Sequence, residues 1–241
     1  MPERQPIFNV PGVVVALLGA FLAVHLVRYS LPEEQSTWLT AALAFVPARL
    51  SGMAPELPGG DIAAVTQFAT HMFVHGDLPH LLINSAWLLA FGSSVARRTG
   101  SARFLVFFFL CGICGALFYT AVTRSTWSLM VGASGAISGL MGAALRFLFQ
   151  ALSNGDTEAL AGETRHAPLM SLREVLGDRR ILLAVAGWTV LNVVFAWGAA
   201  GLLDGANIAW GAHLGGFYVG LLTFGLLDRP PPVMDNAASA G

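Results

Sequence analysis

The sequence contains no lysine: all thirteen of its basic residues are arginine. That bias points to a GC-rich bacterial genome and carries no mechanism. Charge of either sign is scarce, with 11% Asp, Glu, Lys and Arg in 241 residues, where a soluble domain carries about 25%. The formal net charge of −1 provides no electrostatic attraction for nucleic acid. Cysteine is limited to Cys111 and Cys114, both inside an apolar run as Cys-Gly-Ile-Cys. A redox dithiol needs a thiolate in a polar, accessible setting, so the pair reads as small apolar filler. The N-terminus lacks the succession of basic, apolar and small-residue regions that marks a cleaved signal peptide, so the first apolar run is expected to stay as a span. What is abundant is apolar: 55% hydrophobic residues and 27 glycines, glycine being commoner in membrane helices than in soluble ones.

Six runs approach the roughly 20 residues that cross a 30 Å hydrocarbon core: 11–30, 81–95, 104–122, 134–152, 181–201 and 208–227. The second is short unless it begins before His80. The expected fold is all-α, a polytopic six-helix membrane bundle. Arginine placement orients it. Arg4, Arg97, Arg98, Arg103, Arg165, Arg173, Arg179, Arg180 and Arg229 fall on one side, against Arg28, Arg49 and Arg124 on the other. Both termini are therefore expected in the cytoplasm, with the bundle in the inner (plasma) membrane. Residues 31–77, rich in Pro, Gly and apolar side chains, are too hydrophobic for a solvated linker and read as a folded segment lying against the membrane. Residues 153–180 read as a polar cytoplasmic loop, 203–207 as a tight turn and 230–241 as a disordered tail, leaving 1–229 as one transmembrane domain.

The polar residues inside the apolar runs require an explanation, because burial in lipid is costly for them. Asp77-Leu78-Pro79 is a helix-start pattern, and His80 and Asn84, four residues apart, share one face of the helix that follows. Gly132-Ala133-Ser134-Gly135 opens the fourth run, where Gly135, Gly139 and Ala143 form a small-residue line that lets another helix approach closely. Ala212, Gly216 and Gly220 form the matching line in the sixth run, with His213 beside it. If the two lines pack, His213 meets Ser134 as a base meets a nucleophile. His80, Asn84, Ser134 and His213 also fall at one depth, near the outer ends of the second, fourth and sixth helices.

The residue types then suggest acyl transfer. Ser134 attacks a peptide carbonyl, with His213 as general base and later acid. The free N–H groups at the start of the Ser134 helix, the Asn84 amide and a His80 ring N–H stabilise the oxyanion, each such donor being worth about 3 kcal/mol. No carboxylate is placed to orient His213, so a dyad is expected rather than a triad. His25, a lone histidine in the first run, reads as structural.

Gly132-Ala133-Ser134-Gly135, His80-x-x-x-Asn84 and Ala212-His213-x-Gly-Gly, in this order on the second, fourth and sixth helices, resemble the rhomboid family of intramembrane serine proteases. The resemblance covers the transmembrane core. It implies Ser134 as nucleophile, His213 as base, Asn84 and His80 as oxyanion donors, and Gly132 as the residue that keeps the turn before the serine open. It further implies His71 and His75 at a water-filled entrance, lateral entry of a substrate helix near the fifth helix, membrane-protein substrates in the bilayer, and no metal or nucleotide. Two features depart from the pattern. A tryptophan-arginine pair common in the first outer loop is replaced by Thr66-Gln67-Phe68. Ser138 stands where some bacterial members have a tyrosine that packs on the histidine. A pseudoprotease that binds membrane helices without cutting them is the alternative, although an intact Ser134–His213 pair counts against it. A transporter finds no support in internal repeats or intramembrane carboxylates.

Overall fold

A computed structural model describes residues 10–123, 125–156, 164, 167–197 and 209–228. Nine α-helices run through the described residues, six of them long and apolar enough to cross a membrane. The first span, α1, is Gly12–Ser30 and ends where Leu31-Pro32 turns extended. Two shorter helices, α2 (Glu33–Leu43) and α3 (Gly60–Thr70), follow in the connection to the second span. The second span, α4, is Leu78–Thr99. It starts earlier than the apolar run because Asp77 caps it, its carboxylate accepting the His80 N–H at 2.7 Å with Pro79 in the first turn. It stays continuous through a π-helical turn at Leu88–Gly92. Next come α5 (Ser101–Val122), α6 (Ser134–Asn154), the short α7 (Leu172–Gly177), α8 (Arg179–Trp197) and α9 (Trp210–Leu227). The expected 203–207 turn and 230–241 tail lie outside the described residues.

Lipid gives helices no hydrophobic reason to associate, so close packing must hold the bundle. The centre is a three-helix contact of α5, α6 and α9 built on glycine. A Cβ on Gly216 would collide with the Gly135 carbonyl, one on Gly220 with the Gly139 carbonyl, and one on Gly142 with the Phe217 carbonyl. On the α5 side, a Cβ on Gly115 would lie 2.7 Å from the Ala212 carbonyl oxygen. Gly139 also receives Cys111, a fully buried free thiol that fills space as an apolar residue does. Phe107, Phe108, Leu140, Phe147 and Phe224 complete the packed interior. Burial grades outward from this centre: 67% of the α6 span is buried, against 22% of α1 and 11% of α8.

The connection between the first two spans is folded, and arginine holds it. Arg49, 3% exposed, donates to the carbonyls of Ala44 (2.7 Å), Ala41 (2.7 Å) and Pro58 (2.8 Å). The side chain of Gln67, within Thr66-Gln67-Phe68, accepts the Val46 N–H at 2.9 Å. Arg28 at the end of α1 reaches the His75 carbonyl at 2.6 Å and Thr40 Oγ1 at 2.7 Å. The chain thus closes its first loop without the tryptophan-arginine pair. On the outside of α3, Ile62 and Val65 are 78% and 74% exposed, apolar surface suited to lipid. At the opposite end, Arg98 forms a two-pronged ion pair with Asp228 (2.8 Å for each bond) with both side chains buried. Arg146, inside the fourth span, donates to the carbonyls of Met170 (2.8 Å) and Leu221 (3.2 Å) and ties the polar loop to the bundle. Within that loop, α7 is closed by a Ser171/Glu174 capping box.

Candidate active site

Ser134 is the first residue of α6, and the chain reaches it through Ala133 and through Gly132 at φ +113°. Only glycine adopts that backbone readily. A side chain there would also strike His80, whose Nε2 lies 2.7 Å from an added Cβ. The Gly132 N–H is held by the His71 carbonyl at 2.9 Å. The small-residue contact between α6 and α9 then sets the other partner: Ser134 Oγ and His213 Nε2 are 2.8 Å apart. The close approach of helices read from the two glycine lines is what brings them together.

His80 and Asn84 stand on the facing helix α4. His80 Nδ1 accepts the Gly76 N–H at 3.4 Å, which leaves the ring proton on Nε2, the atom that faces Gly132. Asn84, 3% exposed, donates from Nδ2 to the His80 carbonyl at 2.9 Å, while its Oδ1 has no partner among the described groups. Asn84, Ser134 and His213 share one cavity with Ile83, Trp87, Phe91, Ile137, Ser138, Met141 and Trp188. The cavity wall is therefore apolar, with its polar groups gathered at the serine. Ile137 N–H is the first in α6 to reach back to the Ala133 carbonyl, so the Ser134 N–H has no intrahelical acceptor.

Asn192 is a site residue that the sequence reading missed. Its Oδ1 lies 3.0 Å from His213 Nδ1, and its Nδ2 donates to the Trp188 carbonyl at 2.9 Å. An amide in the middle of the fifth apolar run carries the same signal as Asn84, but no motif surrounds it. Trp188, one turn earlier on α8, lies 6.3 Å from the His213 ring between centroids. Ser138 instead donates to the Ser134 carbonyl at 2.7 Å. The histidine is thus flanked by an aromatic side chain from α8 rather than one from α6.

His71 and His75 do not line the cavity, contrary to the entrance position expected of them. Both are buried, at 2% and 0% exposure. His71 Nδ1 donates to the Gln67 carbonyl at 2.7 Å, and His75 packs between Phe21 and His80. Desolvation pushes His71 down to about 4 and His75 to about 3, so both stay neutral near pH 7.

The family model of the Rhomboid domain matches residues 63–229, which include Ser134, His213 and the helices that carry them. The chain belongs to the rhomboid family. It is 29% identical over 159 residues to RHOMBOID-like protein 4 of Arabidopsis thaliana, covering 66% of this chain and 33% of that protein. To the rhomboid protease GlpG of Salmonella newport it is 27% identical over 157 residues, 65% of this chain and 46% of that one. To Rhomboid-like protease 3 of Toxoplasma gondii it is 36% identical over 73 residues, 30% and 27% of the two chains. The matched part spans less than half the length of each of these relatives. The rhomboid match includes every residue that lines the cavity, and Asn192 behind His213 as well.

Proposed function

We propose that this rhomboid is an intramembrane serine endopeptidase that cleaves membrane proteins in or beside their transmembrane segments. The observation that carries the reading is the 2.8 Å contact of Ser134 Oγ with His213 Nε2 at the cavity wall. His213 takes the hydroxyl proton as Oγ bonds to the scissile carbonyl carbon, and later gives that proton to the departing amine. Water then attacks the acyl-serine, again with His213 as base, and releases the second product. The oxyanion is met by the Ser134 N–H, by His80 Nε2–H and by the free Nδ2 hydrogen of Asn84. In this reading both termini and the 153–180 loop face the cytoplasm, as the arginine distribution requires, and the rhomboid domain extends over residues 1–229. The substrate is a membrane helix, which reaches the apolar cavity from the side of α4 and α8.

The test is reconstitution in liposomes with a single-span substrate bearing small residues near the outer end of its helix. Wild type is expected to cleave. Ser134→Ala and His213→Ala should each lower kcat by at least about 10³-fold, since the dyad acts as a unit. Cleavage that survives either substitution sinks the dyad. Substrate binding without any cleavage by the wild type supports the pseudoprotease instead.

A further inference from the structure

We propose that Asn192 is a positioning residue for His213, and that it makes the state of the base depend on the seating of α8. The proposal rests on the protease reading for its kinetic consequence but not for its structural one. An amide alone leaves its orientation open, because its oxygen and nitrogen are nearly equivalent in shape. Here the second contact decides it. Asn192 Nδ2 donates to the Trp188 carbonyl at 2.9 Å, and the flipped amide would set two oxygens against each other. Oδ1 therefore faces His213, and as a pure acceptor at 3.0 Å it requires the proton on His213 Nδ1. The lone pair is then on Nε2, 2.8 Å from the Ser134 hydroxyl, the only tautomer in which His213 can act as base toward Ser134. The chain Trp188 carbonyl, Asn192 amide, His213 ring and Ser134 hydroxyl thus has one consistent direction of donation.

The placement of Asn192 supports a dedicated role. On a helix whose Val190 and Val194 are 60% and 54% exposed, Asn192 is 1% exposed. Trp188, one turn away on the same face, also lies against the His213 ring. Both flanking groups of the base therefore come from α8, the least buried span, which packs mainly on α9 and α7. Lateral displacement of α8 removes the acceptor and frees the imidazole to adopt the other tautomer. The base is then competent only while α8 is seated.

Asn192→Leu, which removes the acceptor at similar volume, is compared with Asn192→Asp, which keeps it. Both are made in the full chain and reconstituted beside wild type and Ser134→Ala. Interhelical hydrogen bonds in membranes add little stability on average, so the variants are expected to fold. With the single-span substrate, Asn192→Leu should lower kcat about 10- to 100-fold at unchanged KM, while Asn192→Asp stays within about threefold of wild type. In 15N-histidine NMR of the same proteins, His213 is identified by its loss in His213→Ala. Its Nδ1 should be protonated in wild type and Asn192→Asp, and partly deprotonated in Asn192→Leu. A hydrogen bond that only joined α8 to α9 would leave the tautomer unmoved. Full activity in Asn192→Leu, or an unchanged His213 tautomer in it, overturns the proposal. If the wild type shows no Ser134-dependent cleavage, the protease reading fails and the tautomer measurement still decides the role of Asn192.

Discussion

His71 shows how much a single residue carries at the foot of Ser134. Its carbonyl holds Gly132, its ring holds the end of α3 through Gln67, and it is 2% exposed. Burial pushes its pKa down to about 4, against the Gln67 carbonyl, which favours the charged ring. In the unfolded chain the value returns to about 6.5. Below that pH the unfolded state binds a proton that the folded state refuses, so stability is complete above pH 6.5 and falls as the pH drops toward 4. The loss from His71 alone is on the order of 3 kcal/mol by pH 4, and His75 adds to it in the same sense. Thermal unfolding in detergent between pH 7 and 4 should show the decline, with a shallower slope in His71→Asn. A flat profile in the wild type would remove the argument. At this scale, Ser134, His213, His80 and Asn84 were legible because each is polar where an apolar residue is cheaper. Asn192 gave the same signal without a partner in sequence, and Arg49 read only as an outer charge. What each of these two bonds depends on helix placement.

The glycine lines in α6 and α9 translate directly into backbone contact. At Gly216 and Gly220 the neighbour an added Cβ would strike is a carbonyl of α6, not a movable side chain. Even alanine must therefore separate the two helices. Gly216→Ala is expected to destabilise the bundle by about 1–3 kcal/mol, as overpacking does, and to sharply reduce cleavage by widening the Ser134–His213 contact. Gly139→Leu and Gly216→Leu should abolish activity with Ser134 and His213 both in place. Gly187 on α8 meets nothing within 4 Å of an added Cβ, so Gly187→Ala is the matched control, neutral or stabilising by up to about 1 kcal/mol. Unfolding and cleavage measured together check this, and a Gly216→Ala protein that behaves like Gly187→Ala would refute the contact. The sequence shows that such lines exist on two helices. That the α9 line also packs on α5, through Gly115 and Cys111, is beyond sequence spacing, since nothing in it reports which faces of a third helix meet them.

Across the whole molecule, polar attachments close the bundle at both ends. On one side Arg28 and Arg49 gather the loop between the first two spans onto backbone carbonyls. On the other, Arg98 grips Asp228 and the Thr164 and Ala167 carbonyls, and lies 4.9 Å over the Phe147 ring. With side chains 3% and 5% exposed, removing one partner of this pair leaves a charge in a dry site. Asp228→Ala is accordingly expected to destabilise by about 3–5 kcal/mol, and the double replacement Arg98→Leu/Asp228→Leu by less. Unfolding of the three proteins in one detergent is the check; equal losses for single and double variants would mean the pair contributes only through its shape. This end lies a helix length from Ser134, so a modest loss of stability should spare cleavage at low temperature.

The sequence by itself determined the class, the number of spans, their order and four of the polar groups at the site. These follow from local rules: apolar length against bilayer thickness, the cost of polar atoms in lipid, and small residues at helical spacing. It also pointed to the meeting of Ser134 and His213 through two glycine lines, because a period of four residues on a helix is itself a statement about a face. Only the tertiary structure decided which further groups meet. Asn192 and His213 are 21 residues apart on different helices, and Arg98 and Asp228 are 130 apart. Such pairs are fixed by the relative rotation and depth of whole helices, which the packing of all the spans sets together and no stretch of sequence records alone.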